Sequence, residues 1–136
     1  MATIVCIEEL NDEENSEGGF LVRLNDGEEI KLWIDTMPSC CEQFGYFISE
    51  DNFNDFTGAE VLSVERVDTA LKVSQVERFM HEGKLDLDGG GIMFVNINTN
   101  RGTLQFVAYN EHNGYYGHDA GVVTRYLESG SLGAYL

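Results

Sequence analysis

Two histidines and an aspartate set close together are the side chains of this sequence best suited to chemistry. His112 and His118 bracket Asn113-Gly114-Tyr115-Tyr116-Gly117, and Asp119 follows directly. Imidazole and carboxylate are common zinc ligands and common general acids and bases, so this cluster is a candidate metal or acid–base site. A hydrolase needs more than this, an activated nucleophile or further ligands, and the sequence declares neither. The ordinary alternative is that Tyr and His close one end of a sheet and satisfy one another by hydrogen bonds. His112, Asn113, His118 and Asp119 are therefore kept as a candidate ligand-binding set, and no catalytic residue is assigned.

Two other motifs invite chemistry and carry less. Cys40-Cys41-Glu42 suggests a metal, but zinc ligands come in spaced pairs and the nearest histidine in sequence is His81. Buried structural cysteines beside a capping box of Ser39 and Glu42 fit the pattern better. Asp86-Leu87-Asp88-Gly89-Gly90-Gly91 is glycine-rich. It lacks the Lys-Ser/Thr pair and strand-to-helix setting of a phosphate loop, and its two aspartates repel phosphate. The chain reads as non-enzymatic, with no cofactor and no metal expected.

Charge says more. The formal net charge is −16, with only eight Lys and Arg in the chain. Direct binding to nucleic acid or to an anionic membrane is excluded, because both need clustered cations. Residues 1–68 hold seventeen Asp or Glu against three bases, a net of −14, while residues 69–136 hold seven against five, a net of −2. The densest part is Glu8 to Gly19, containing Glu8, Glu9, Asp12, Glu13, Glu14 and Glu17 and ending in two glycines. Its polarity and like charge predict an exposed, mobile loop. One consequence is solubility alone; the sharper one is docking onto a basic groove of another protein. The partner-binding candidates are those six acids together with Trp33, Tyr115 and Tyr116 as aromatic anchors.

These residues need a scaffold, and the chain supplies one in β-strands. At 136 residues, with 43% hydrophobic residues and eight Phe, six Tyr and one Trp, residues 1–136 form a single domain able to bury its own core. Phe20, Val22 and Leu24 alternate with polar positions, Asn25-Asp26-Gly27 turns, and Ile30, Leu32 and Ile34 alternate again. That is a hairpin with period-two patterning on both arms. Trp33 falls on the face opposite the aliphatic stripe, where it either covers a second core layer or stands exposed as a binding anchor. Residues 92–97 and 103–109 are rich in β-branched and aromatic residues and flank Asn98-Thr99-Asn100-Arg101-Gly102, a second hairpin. Further strands are expected at residues 3–7, 60–67 and through Tyr116 to Val122. Phe44, Phe47, Phe53 and Phe56 suggest a satellite core under a loop. Val73, Val76, Phe79 and Met80 have helical spacing, with Gly83 as the stop. The glycine-rich tail from Ser129 is expected to be partly ordered at best. The predicted fold is α+β, mainly antiparallel sheet of about six or seven strands, curled or barrel-like, with one or two short helices.

The sequence also resembles an uncharacterised family of small proteins found largely in phages and prophages. The resemblance rests on the strand-Asn25-Asp26-Gly27-strand opening, Cys40-Cys41-Glu42, Asp55-Phe56-Thr57-Gly58-Ala59-Glu60-Val61-Leu62, and Asn113-Gly114-Tyr115-Tyr116. It spans most of residues 20–120. A phage setting is what it implies, and small acidic phage proteins are frequently inhibitors of host defence. Three functions are then in play. The first is an anti-defence, anti-CRISPR-like inhibitor that binds a host effector, as an acidic nucleic-acid mimic. The second is a sponge for a nucleotide signal, stacking on tyrosine with Arg101 and Arg125 near its phosphates. The third is a metal-dependent hydrolase. Three cysteines, two of them adjacent, suit a reducing compartment, and no signal or membrane-spanning pattern is present, so a cytoplasmic site in the infected host is expected.

Overall fold

The computed structural model describes residues 2–36, 44–49, 53–67, 71, 91–110 and 119–136. Alternation and turn chemistry place the first strands. β1 is Ile4–Asp12, β2 is Glu17–Leu24 and β3 is Glu29–Asp35. β4 is Phe44–Ile48, and a single 3-10 turn at Phe53–Phe56 leads to β5, Val61–Val67. β6, Gly91–Thr99, and β7, Gly102–Asn110, form the second predicted hairpin, closed by a two-residue turn after which Gly102 takes a φ of 120°. β8 is Asp119–Val123 and β9 is Ser131–Tyr135.

The strands make two antiparallel sheets, ordered β1-β2-β3-β8-β9 and β4-β7-β6-β5. The core lies between them. Val22, Ile30, Leu32, Ile34 and Val122 from the five-stranded sheet are buried against Met93, Val95, Ile97, Leu104 and Phe106 from the other. Phe20 sets its ring edge-on to Tyr46 at 5.6 Å and to Phe106 at 6.1 Å, joining the sheets through aromatic contacts. On the opposite side of the four-stranded sheet, Phe47, Phe94 and Val107 form a second cluster. Burial on both faces explains why residues 93–95 and 104–108 read as continuous apolar runs rather than alternations. The one polar side chain in those runs, Gln105, donates from Nε2 to Asn96 Oδ1 at 2.9 Å and accepts from the Leu71 amide at 2.7 Å, while its backbone amide donates to Ser49 Oγ at 2.9 Å.

Several expectations change. The described residues contain nine strands, not six or seven, and the two sheets stay open rather than closing as a barrel. The acidic segment is not a mobile loop: Glu8, Glu9, Asp12 and Glu17 stand in β1 and β2, and only residues 13–16 turn. An edge strand with one solvated face accepts charge there. The tail is a paired strand, β9, and Leu136 after it is buried and accepts a hydrogen bond from Asn110 Nδ2 at 3.2 Å. Phe56 joins the main core rather than a satellite, whereas Phe47 belongs to the second, smaller cluster. β5 carries a bulge between Val61 and Ser63 that leaves Leu62 exposed. The expected helix at residues 73–80, the capping box at 39–42 and residues 86–90 of the glycine-rich stretch lie outside the described residues, while Gly91 opens β6.

Candidate partner-binding face

The outer surface of the five-stranded sheet carries Glu8, Asp12, Glu17 and Trp33 of the predicted contact residues. Because side chains alternate across a strand, the residues opposite the aliphatic stripe share this outer face. Strand register orders them in rows. Asp12 pairs with Glu17, and Glu17 with Asp35, so three acids stand side by side across β1, β2 and β3. Adjacent strands lie about 4.8 Å apart, and like charges directly opposite one another destabilise a sheet by up to about 1 kcal/mol per pair. Lys31 relieves part of this through Nζ, 2.6 Å from Glu17 Oε1. Glu13 and Glu14, in the turn at the end of the row, are exposed, and among the described residues nothing pairs with their carboxylates.

The other predicted acids have local work. Glu8 accepts from Arg23 Nε at 2.7 Å, and Arg23 also reaches Glu29 at 3.0 Å. That guanidinium holds the Glu8 carboxyl below the usual carboxylate range. Asp12 accepts from the Asn15 side chain at 2.8 Å and its amide at 3.1 Å, bonds that brace the turn and lower the Asp12 pKa. Glu9 points inward at the sheet edge and accepts from Tyr46 Oη at 2.8 Å. Burial, reinforced by the Glu9 carboxylate, pushes the Tyr46 phenol up to about 12.

This gives a pH prediction with a definite sign. Tyr46 in the folded protein keeps its proton above pH 10, where an unfolded tyrosine loses it, so the folded state binds more protons between pH 10 and about 12. Its contribution to stability is complete below pH 10 and disappears as pH rises toward 12. In an ultraviolet titration one tyrosine should ionise about two units above its ordinary range, and Tyr46→Phe should remove that step. A full set of ordinary tyrosine titrations in the folded protein would refute the contact.

One row inward lies a cleft. Gly19 pairs with Trp33, Trp33 with Gly121, and Gly121 with Gly133. This glycine row leaves the half-buried indole beside an open hollow of about 330 Å³ lined by Trp33, Asp119, Ala120, Gly133 and Ala134. The fold thus brings together Trp33 and Asp119, which sequence reasoning placed in separate candidate sets. Gly133 and Ala134 were missed because the tail read as poorly ordered. The signal available was the alternation of small residues in Ser131-Leu132-Gly133-Ala134.

His112, Asn113, Tyr115, Tyr116 and His118 lie outside the described residues. Among the described residues, no group of three or more His, Cys, Asp and Glu is gathered to hold a metal ion. The two arginines needed by a nucleotide phosphate are engaged. Arg101 donates to the Thr57 carbonyl at 2.7 Å and the Asp55 carbonyl at 3.3 Å. Arg125 pairs with Asp26 and lies 5.2 Å from the Tyr126 ring centroid. No helix among the described residues is long and apolar enough to cross a membrane.

The profile of a family described as a domain of unknown function (DUF7448) matches residues 2–122. No curated protein and no solved structure matches the chain.

Proposed function

The chain belongs to the DUF7448 family of domains of unknown function, and we propose that it is a non-enzymatic binding protein whose acidic sheet face docks on a basic, nucleic-acid-binding groove of a partner protein. The observation that carries this is the in-register row Asp12–Glu17–Asp35 with Glu13 and Glu14 at its end. Setting like charges opposite one another disfavours folding, even though Lys31 holds Glu17 and Asn15 holds Asp12. A surface that meets Lys and Arg of a phosphate-binding groove does gain, through steering and through complementary contacts at the interface. The setting is a phage-encoded inhibitor of host defence, anti-CRISPR-like, acting in the cytoplasm of the infected cell. Supporting that setting are the resemblance to phage and prophage proteins and the charge of −16 on a chain this small. The nucleotide-sponge alternative is weakened by Arg101 and Arg125, whose guanidinium groups already have partners.

Capture of the partner on the tagged full chain from infected-host extract tests the proposal. The captured protein should be released progressively as salt rises from about 0.05 to 0.5 M, because exposed charges are screened over about 8–10 Å near physiological ionic strength. Duplex DNA or RNA should displace it at low salt. A partner held unchanged through both treatments would contradict mimicry of nucleic acid.

A further inference from the structure

We propose that the cleft beside Trp33 receives a single arginine side chain of the protein partner, an inference that rests on the acidic-docking function above and names the contact at its centre. The cleft is built from two glycines with different reasons to be glycine. At Gly121 a Cβ would lie 2.5 Å from the Leu132 carbonyl oxygen and 3.1 Å from Trp33 Nε1, so close packing forbids a side chain. The indole therefore rests against the backbone of β8. At Gly133 a Cβ would meet only the Ala120 carbonyl oxygen, at an ordinary 3.7 Å. Packing there tolerates a side chain. What its absence does is leave the hollow open.

The lining selects a cation. Asp119 is exposed, and among the described residues no cation or donor engages its carboxylate. An anionic ligand is repelled by Asp119 and by the charge of the whole chain. A purely apolar ligand would leave that carboxylate without a role. Trp presents the most favourable aromatic surface for a cation, and a carboxylate beside it accepts charge-assisted hydrogen bonds. Arginine fits better than lysine because its planar guanidinium can stack on the indole while its N–H fork meets Asp119. Ala120 and Ala134 line the cleft through their backbone, since their methyl groups turn to the core on the other face of the sheet. At about 330 Å³ the hollow is at the small end of ligand pockets, suited to a side chain.

Trp33 is the chain's only tryptophan, so its fluorescence reports on the cleft directly. The full chain is titrated with a blocked hexa-arginine peptide and, separately, with hexa-lysine. Hexa-arginine should change the emission saturably and bind more tightly than hexa-lysine. Asp119→Asn, an exposed and isosteric change, should weaken binding about tenfold. Gly133→Leu, which fills the hollow, should abolish the emission change while the melting temperature stays near that of the parent. Should that variant unfold, Asp119→Asn still decides the matter. The double reversal Glu13→Lys/Glu14→Lys should lower affinity for the peptide yet preserve the emission change at saturation. Peptide binding that leaves the emission unaltered, ignores Asp119→Asn and Gly133→Leu but weakens in the double reversal, would overturn the cleft while leaving acidic docking standing. Equal binding of hexa-lysine would overturn the assignment to arginine, and no binding of either peptide would count against both proposals.

Discussion

Leu32→Asp should leave no soluble, folded protein. Leu32 has no exposed surface and sits in register between Phe20 on β2 and Val122 on β8, at the middle of the aliphatic layer. Truncating a buried leucine costs about 2–5 kcal/mol, and placing a carboxylate there adds the cost of an unpaired polar group. Together these reach the whole stability of a typical domain, about 5–15 kcal/mol. Leu32→Met conserves volume and should cost less than about 1.5 kcal/mol. Val123→Asp, on the outer face of the neighbouring strand where Val123 is 47% exposed, should change stability by no more than about 0.5 kcal/mol. Soluble yield and the cooperative melt separate these outcomes. A Leu32→Asp protein that melts cooperatively at the parental temperature would mean that β3 is out of register by one residue, with its stripe facing solvent.

The hairpins were legible because their information is local. Phe20, Val22 and Leu24 against Ile30, Leu32 and Ile34, with Asn25-Asp26-Gly27 between them, specify both arms and the turn in one short stretch. The acidic strand was not legible for the opposite reason. What makes Glu8 and Glu17 tolerable in strands are Arg23 and Lys31, which lie 15 and 14 residues further along the chain. Composition alone sees like charge and infers a loop. The tail failed in the same way, since Ser, Gly and Ala carry little strand preference and β9 forms through pairing with β8 and the Asn110 anchor on Leu136. The candidate site was half readable. The acids and Trp33 were identified by type, yet the row follows from the register of β1, β2 and β3, and the cleft from the pairing of β3 with β8, a contact between distant parts of the chain.

On the proposed function, exposed carboxylates at the end of the β1–β2 hairpin steer this protein to a basic partner. Glu13 and Glu14 are the residues to reverse, because the other predicted acids of the segment have structural duties. Glu17 holds Lys31, Glu8 holds Arg23, Glu9 holds Tyr46 and Asp12 braces the turn. Reversal of Asp55 and Glu128, exposed acids elsewhere on the surface, provides the control. The measurement is the association and dissociation rate of the full chain with its captured partner, at low and at physiological salt. Glu13→Lys/Glu14→Lys should slow association about tenfold at low salt, with a smaller deficit at physiological salt and less than about a twofold change in dissociation. The control reversal should slow association by less than about twofold. Association at the parental rate in the Glu13→Lys/Glu14→Lys protein, with its competition against nucleic acid intact, would contradict the claim.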